Sequence, residues 1–403
     1  MKRRTGELTA VRKIWLLVLG AFALGLDAYV MAGLLPVVAD DLGTTVSLVG
    51  QMVTVFTLAY AIAAPLVAGL LAGVRPRLVI LVALAVFTVG NAATALAPAL
   101  GALLVARVVA GAGAGVYAAL STAAASALAP AERRGRALAL VMGGMSTGTV
   151  LGVPVGVLLA GHAGWRSTMW LVTGLGGVAL VGMAVGLPAV PADPPVPVRA
   201  RLAAVADRAV APVVGVSFLA AVASLGLYTY LAPVLASAGG VREVAPYLWA
   251  WGIGGVLGSL VAGPLVDRTG KVSALVGGVL VTVVAAQALL PLLASAALPG
   301  AAAALVLWGA AGWALQVPQQ HRLLALRGDR GTVALALNNS ALYLGSAVGS
   351  ALGGLALAAG VRAYALPWAA AGVAALGLAL HLGAGRRSRQ AARVGTLGGY
   401  EHC

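Results

Sequence analysis

The stretch VAGLLAGVRPR at residues 67–77 recurs in the second half of the chain as VAGPLVDRTGK at residues 261–271. On this register Gly73 corresponds to Asp267, and Arg77 corresponds to Lys271. Rows of glycines repeat nearly in step with it: Gly148, Gly152 and Gly156 in the first half, and Gly345, Gly349 and Gly353 in the second. The repeat predicts a chain built from two related halves.

The composition around this repeat is that of a membrane protein. Of the 403 residues, 61% are hydrophobic and only 9% are charged, whereas soluble domains carry about 25% charged residues. Many apolar stretches approach the roughly 20 residues that a helix needs to cross a bilayer, and the short alternating segments typical of β-barrels are missing. We therefore predict an all-α polytopic membrane protein with twelve transmembrane helices. The expected spans are 14–36, 47–73, 78–98, 100–129, 137–160, 167–188, 211–237, 245–266, 273–294, 300–320, 332–358 and 364–384.

The positive charges predict the orientation. Of the 26 lysines and arginines, Arg107 lies inside a predicted span, and Arg166, Arg242 and Arg362 lie in loops on one face. The others lie in the tails and in loops on the other face. Because basic residues accumulate on the cytoplasmic side, we expect both termini in the cytoplasm, and a bacterial-type inner (plasma) membrane location. This topology also accounts for the net charge of +15 without a nucleic-acid partner.

A proline-rich segment separates the two predicted groups of six spans. Residues 189–210 contain Pro191, Pro194, Pro195 and Pro197, and proline at this density cannot continue a helix. We therefore predict an N-terminal six-helix half at 1–188, a cytoplasmic linker at 189–210, a C-terminal six-helix half at 211–384 and a cytoplasmic tail at 385–403.

Six stretches of the chain resemble the major facilitator superfamily, specifically its twelve-span drug/proton antiporters in the branch of arabinose-efflux-permease-like and chloramphenicol-resistance exporters. The resemblance implies two pseudo-symmetric six-helix halves that expose a central site alternately to each side, and it implies no enzymatic activity. The stretches are GLDAYVMAGLLPVVADDLG (25–43), ARVVAGAGAGVYAAL (106–120), PAERRGRALAL (130–140), GTVLGVPVGVLLAGHAGWR (148–166), GPLVDRTGK (263–271) and LNNSALYLGSAVGSALGG (337–354).

Two of these stretches carry motifs whose roles follow from the resemblance. The loop after the eighth span is expected to form a cytoplasmic gate from Gly263, Asp267, Arg268, Gly270 and Lys271. The first-half copy departs from this pattern, because Gly73 stands where the acid would be. The alternative for the loop is an ordinary solvated connection between two spans.

The second motif is the antiporter hinge in the fifth span, formed by Gly148, Gly152, Pro154 and Gly156. Small residues on one helix face permit close packing, and a proline bends the helix. The resemblance places the motif at the interface between the halves. The alternative is ordinary tight packing without a role in transport.

The acidic residues single out one position. Asp27 is the only acid expected well inside a span, and Arg107 is the only base. Intramembrane charges are costly and indicate function by default. Counting from Pro36 as the end of the first span puts Asp27 in the outer half of the membrane, at a depth similar to Arg107. We predict that the two couple proton movement to transport; a static salt bridge is the alternative.

The second half offers no equivalent acid, since Ser224 aligns with Asp27, so proton chemistry is expected in the first half only. Other polar and aromatic positions within spans are candidates for substrate contact, although hydrogen bonding between helices would also explain each of them. The candidate substrate cavity comprises Tyr228, Tyr230, Gln316, Gln320, Asn338 and Asn339, and further candidates are Asn91, Gln287, Trp249, Trp251, Trp308 and Trp313.

The sequence thus predicts a secondary active transporter that exports a small neutral or amphiphilic molecule, such as a drug, in exchange for protons. One alternative is a sugar or nucleoside/purine transporter, working as an exporter or facilitator. Another is a membrane sensor that moves no solute. The expected partners are the substrate, protons and the lipid bilayer. We expect a monomer with no cofactor, no metal site and no catalytic residue.

Overall fold

A computed structural model describes residues 2–70, 74–130, 133–191, 207, 209–327 and 331–397. Within these ranges twelve helical segments are long and apolar enough to cross a membrane, as predicted. In chain order, spans 1 to 12 are Ile14–Asp41, Val46–Val67, Pro76–Leu96, Leu100–Leu128, Arg134–Ala163, Trp165–Gly186, Val210–Thr229, Ala245–Thr269, Val272–Ala296, Pro299–Leu326, Val333–Ala358 and Ala363–Arg386.

Several helices extend beyond their spans or are interrupted within them. The first helix is Lys2–Asp41, the second is Val46–Leu70, the eleventh span belongs to helix Gly331–Ala358 and the last helix is Leu366–Leu397. The interrupted helices are those of span 5 (Arg134–Thr147 and Val153–Ala163, joined by a π-helical turn at Gly148–Gly152), of span 7 (Val210–Thr229, followed by Leu231–Gly239) and of span 10 (Leu298–Ala314, followed by Gln316–Arg327).

The expectation that Pro36 ends span 1 is wrong. The first helix passes through Pro36 and ends at Asp41, because neighbouring groups within a membrane bundle can satisfy the backbone groups that a proline frees. Asp27 therefore lies midway between Ile14 and Asp41, near the centre of the span rather than in its outer half. Pro233 likewise lies inside a helix, Leu231–Gly239, and the interruption of span 7 falls at Tyr230.

Glycines set the packing inside each half. In the first half Gly111 and Gly115 of span 4 lie directly against the carbonyl groups of Phe56 and Tyr60 in span 2. In the second half Gly258 of span 8 lies against the carbonyl group of Ala310 in span 10 in the same manner. Since small residues let helix backbones approach closely in lipid, both halves use the same device to hold equivalent helices together.

With twelve spans, both chain ends emerge on one face of the bundle, here called the terminal face. The halves meet towards the other, opposite face. Ser47 donates a hydrogen bond to the carbonyl of Gly354 (2.6 Å), Ser350 donates one to Gly50 (3.2 Å), and Tyr230 donates one to Ser350 (2.8 Å). These five residues are called the opposite-face seam below.

Nearer the membrane centre, the rings of Tyr60 and Tyr343 stack across the halves with centroids 3.5 Å apart. Towards the terminal face, a Cβ added at Gly143 of span 5 or at Gly263 of span 8 would meet no atom within 4 Å. The hydrogen bonds of the seam and the stacked tyrosines thus join the halves at the opposite face and near the membrane centre. Residues 192–206 and 208 of the predicted linker and 398–403 of the predicted tail lie outside the described residues, so these domain boundaries stay predictions.

Candidate functional site

The two charges predicted inside the membrane are in direct contact. Arg107 Nη1 donates a hydrogen bond to Asp27 Oδ1 at 2.7 Å. A third residue, Asn91 of span 3, joins them: its Nδ2 donates to Asp27 Oδ2 at 3.3 Å, and its Oδ1 accepts from Arg107 Nη1 at 3.2 Å. The exposed fraction of each side chain is 1% or less. Asp27, Asn91 and Arg107 thus form a closed, buried polar triad.

The rest of the guanidinium group lies against an aromatic ring. Arg107 Cζ sits 4.1 Å from the ring centroid of Phe56 in span 2, a cation–π arrangement. Arg107 Nε has no hydrogen-bond partner among the described residues. A carboxylate can accept about four hydrogen bonds, whereas Asp27 receives one charged donor and one long amide contact. The triad therefore holds an ion pair whose hydrogen-bonding capacity is only partly used.

The glycine row of span 5 fixes the helix that carries Asp27. Gly148 lies directly against the carbonyl group of Phe22, a Cβ at Gly152 would lie 3.1 Å from Leu26 Cβ, and one at Gly156 would lie 2.8 Å from Val30. The predicted hinge motif therefore packs against span 1 within the first half. The glycines themselves thus face span 1, and another face of the same segment makes the contact with the second half that the resemblance implies.

The same segment reaches the second half through its other face. The π-helical turn at Gly148–Gly152 places Val150 against Gly252 of span 8, where a Cβ would lie 3.2 Å from Val150 Cγ2. Pro154 is buried in the first turn of the helix that follows. Turns of this kind are frequent at functional sites, and this one connects the helix of Asp27 to the second half of the molecule.

The second half contains a similar junction without charges. Trp308 Nε1 of span 10 donates to Ser224 Oγ of span 7 at 2.6 Å, and Gln287 Nε2 of span 9 donates to the carbonyl of Ala223 at 3.2 Å. Ser224 is the residue that aligns with Asp27. The first, third and fourth helices of both halves are thus joined by buried polar side chains, with an ion pair in the first half and neutral groups in the second.

The predicted cytoplasmic gate is not assembled in this conformation. Asp267, Arg268 and Lys271 are exposed, and Asp267 makes no hydrogen bond or ion pair with any residue that the structure describes. Gly270 ends the helix of span 8 in the left-handed conformation, with φ of +60°. Gly73, the residue at the equivalent position in the first half, lies outside the described residues. The role of this loop as a gate stays a prediction.

The residues of the predicted substrate cavity do not form one group. Tyr228 lies between the halves, with its ring 5.7 Å from that of Tyr29, and Tyr230 belongs to the opposite-face seam. Asn339 contacts Tyr60 across the halves, whereas Asn338 is buried and its Oδ1 has no partner among the described residues. Towards the terminal face, Gln316 is half-buried and Gln320 is exposed.

Aromatic rings from both halves surround the centre of the molecule. Tyr29 of span 1 lies 5.7 Å from Tyr228 and 5.9 Å from Trp251, and the rings of Tyr228 and Trp251 are 4.3 Å apart. A cavity of about 20 Å³ lies beside Tyr29 and Tyr228. The sequence analysis did not single out Tyr29, Tyr60 or Tyr343. One feature of the sequence could have identified Tyr29, because it follows Asp27 by two residues in GLDAYV (25–30).

A bundle of twelve spans in two similar halves, with a polar triad and a central site between the halves, defines a multi-pass membrane transporter. The family model of the Major Facilitator Superfamily matches residues 17–350. The chain belongs to this superfamily, as its motifs predicted.

Relatives from bacteria agree with this assignment. The MFS-type transporter YbcL of Bacillus subtilis (strain 168) is 30% identical over 85% of this chain and 88% of its own length. The inner membrane transport protein YdhP of Escherichia coli (strain K12) is 29% identical over 90% of this chain and 93% of its own. A chloramphenicol resistance protein of Streptomyces lividans is 31% identical over 83% of this chain and 86% of its own.

Solved structures share the fold at low sequence identity. A bacterial homologue of the human lysosomal transporter Spinster, in an inward-facing and unoccupied conformation, superimposes with a TM-score of 0.75 at 16% identity, covering 94% of this chain and 97% of the other. A D-xylose–proton symporter superimposes with a TM-score of 0.72 at 17% identity, covering 92% and 97%. At these identities the likeness concerns the fold alone.

Proposed function

We propose that this transporter exports a small neutral or amphiphilic molecule in exchange for protons, and that Asp27 carries the proton. The observation that carries the proposal is the triad of Asp27, Asn91 and Arg107, which is fully buried near the centre of span 1. Replacing a buried ion pair by apolar residues is often neutral or stabilising. A charge pair kept at this position therefore favours a role in coupling over a role in stability.

The chemistry of the triad fits a proton carrier. Burial disfavours the charged form of a carboxyl group and a neighbouring arginine favours it, so a small change in the distance between Asp27 and Arg107 alters the balance. Protonation would cancel the ion pair and leave Arg107 with its existing contacts to Phe56 and Asn91 alone. Each change of state would then loosen or tighten the packing between spans 1 and 4.

The triad is connected to the parts that move during alternating access. Tyr29, two residues from Asp27, touches Tyr228 and Trp251 of the second half. Span 1 also packs along the glycine row of span 5, whose Val150 faces Gly252 of the second half. We propose that protonation of Asp27 changes the contact between the halves through these two connections.

The direction and the substrate class rest on less direct support. The relative from Streptomyces lividans is named for chloramphenicol resistance, which suggests export of a drug-like molecule. None of the eight side chains that line the central cavity is charged, a surface suited to neutral or amphiphilic compounds. The D-xylose–proton symporter has the same fold, so sugars are included among the solutes to be tested.

The test is transport by purified protein in lipid vesicles that contain a pH-sensitive dye. Vesicles acidic inside would be offered a panel of labelled drugs, sugars and nucleosides outside. In inside-out oriented protein, the proposal predicts uptake of a drug-like solute against its gradient together with alkalinisation of the lumen. Solute and protons that move in the same direction would contradict antiport. The absence of transport for every class of solute would favour the sensor.

Orientation can be tested separately in cells. We propose that the terminal face is cytoplasmic, because most of the lysines and arginines lie there. Reporter tags inserted after residue 200 and at the C-terminus should both give cytoplasmic signals, and a tag in the loop at residues 359–362 should give the opposite signal. A C-terminal tag accessible from outside the cell would contradict this topology.

A further inference from the structure

A buried hydrogen-bond donor lies unpaired at the centre of the molecule. Trp251 of span 8 has 1% of its surface exposed, and its Nε1 has no acceptor among the described residues. An indole N–H can only donate, and buried tryptophans normally find a partner for it. A buried donor without a partner is destabilising, and the described residues supply no acceptor for this one.

The neighbouring tryptophan shows that the second half can satisfy an indole at this depth. Trp308, whose ring centroid lies 6.2 Å from that of Trp251, donates its N–H to Ser224 Oγ at 2.6 Å. Both side chains are almost completely buried. The two indoles differ in place as well: Trp308 donates within its own half, whereas Trp251 contacts Tyr29 of the other half. The unpaired donor is therefore the one at the interface.

Aromatic rings surround this donor on several sides. Tyr228 lies 4.3 Å from Trp251, Trp313 lies 5.7 Å away edge to face, and Tyr29 completes the group from the first half. The cavity of about 20 Å³ beside Tyr29 and Tyr228 has room for about one water molecule. In this conformation it is therefore too small for a substrate, which would enter only after the rings move.

Charge distinguishes the substrates that this group can accept. A cation held over aromatic rings gains from a carboxylate nearby, but Tyr29, Tyr228, Thr229 and Ser346 on the cavity wall are all neutral. The acid nearest to Tyr29 in sequence is Asp27, and it is already paired with Arg107. A flat neutral ring with an acceptor oxygen would instead stack on the rings and also satisfy the indole N–H. Offset-stacked and edge-to-face arrangements are the favoured geometries for such ring pairs.

We infer that Trp251 determines substrate specificity: its indole N–H donates a hydrogen bond to an acceptor oxygen on a neutral aromatic substrate that packs against Tyr29 and Tyr228. The inference rests on the proposed function, because it names the class of substrate that binds at the same central site. It differs from the proton mechanism in its residues, because Trp251 belongs to the second half and carries no titratable group.

The test is equilibrium binding to the purified full-length protein, with Trp251→Phe as the variant and Trp170→Phe as its matched control. Phenylalanine keeps an aromatic ring at position 251 and removes the N–H. Trp170 lies in span 6 of the first half with 47% of its surface exposed, away from the central aromatic group. The two probes are chloramphenicol, a neutral aromatic compound with acceptor oxygens, and tetraphenylphosphonium, an aromatic cation without a hydrogen-bond acceptor.

We expect the wild-type protein to bind chloramphenicol and Trp251→Phe to bind it roughly three- to tenfold more weakly, the loss of one neutral hydrogen bond. Trp170→Phe should bind it as the wild type does. Affinity for tetraphenylphosphonium should be equal in all three proteins. A monodisperse elution profile and an unchanged melting temperature would show that each variant is folded.

Two results would overturn the inference. Equal affinity of Trp251→Phe and wild type for chloramphenicol would show that the indole N–H is satisfied by water or by the protein. Wild-type binding of tetraphenylphosphonium without binding of chloramphenicol would show that the site selects cations. Binding is measured without a pH gradient, so these results are independent of proton coupling. If chloramphenicol binds as predicted but is not exported in exchange for protons, only the proposed function is contradicted.

Discussion

The two halves of the molecule join the same helices with different chemistry. In the first half Asp27, Asn91 and Arg107 link spans 1, 3 and 4 through an ion pair of 2.7 Å. In the second half Ser224 and Trp308 link spans 7 and 10 through a neutral hydrogen bond of 2.6 Å. The helix packing is similar, so the scaffold does not require the charges. We propose that the neutral junction of the second half is structural, whereas the charged junction of the first half also couples transport to protons.

The largest expected difference between the junctions concerns stability. Arg107→Ala leaves a buried carboxylate without its counter-ion, and breaking a buried pair in this way costs about 3–5 kcal/mol. Trp308→Phe removes one neutral hydrogen bond and should cost about 1 kcal/mol. Thermal unfolding of the purified variants in one detergent should therefore show a much larger decrease for Arg107→Ala. Equal decreases would mean that the ion pair contributes no more than its neutral counterpart.

The second comparison concerns the glycine rows. Gly148→Ala places a methyl group against the carbonyl of Phe22, and Gly345→Ala places one 2.5 Å from the carbonyl of Phe218 in the second half. Overpacking of this kind costs about 1–3 kcal/mol, and melting temperatures should fall for both variants. A Cβ at Gly143, five residues earlier in span 5, would meet no atom within 4 Å, so Gly143→Ala should be neutral or slightly stabilising. Equal melting temperatures for Gly148→Ala and Gly143→Ala would show that span 1 is not packed closely against span 5.

A smaller effect is expected at the terminal face, where only the second-half copy of the repeated loop carries an acid. Asp267 is exposed and unpaired among the described residues, so any latch forms in the other conformation. Exposed ion pairs contribute about 0.2–1 kcal/mol, and Asp267→Asn should therefore slow transport by roughly two- to fivefold. Expression and substrate affinity should be unchanged. Initial rates in vesicles with equal amounts of protein would test this, and wild-type rates in the variant would remove the gate role.

Periodicity and composition were sufficient to predict the spans, because burial in lipid affects every residue of a helix. The motifs were sufficient to predict the superfamily. Asp27 and Arg107 were recognisable as the only two charges expected deep inside spans. Whether they pair directly could not be decided from sequence, and the structure shows their contact at 2.7 Å.

Other features depend on contacts between distant segments and leave little trace in local sequence. Asn91 completes the triad from span 3, yet a single buried amide is indistinguishable from many others by sequence. Pro36 was mistaken for the end of a span because the neighbours that satisfy its helix are not adjacent in the chain. The glycine row of span 5 was recognised as a packing face, but sequence could not show that its partner is span 1.

The most direct test of the account compares Asp27→Asn with Ser224→Ala in vesicles containing a pH-sensitive dye. Asparagine keeps the shape and hydrogen bonding of aspartate but cannot carry a proton, whereas Ser224→Ala alters the corresponding neutral junction. We predict that export driven by a pH gradient, and the proton flux that accompanies it, disappear in Asp27→Asn and persist in Ser224→Ala. Substrate binding and downhill exchange should survive in both. Uphill export with proton movement in Asp27→Asn would show that the buried charge is structural and that protons cross elsewhere.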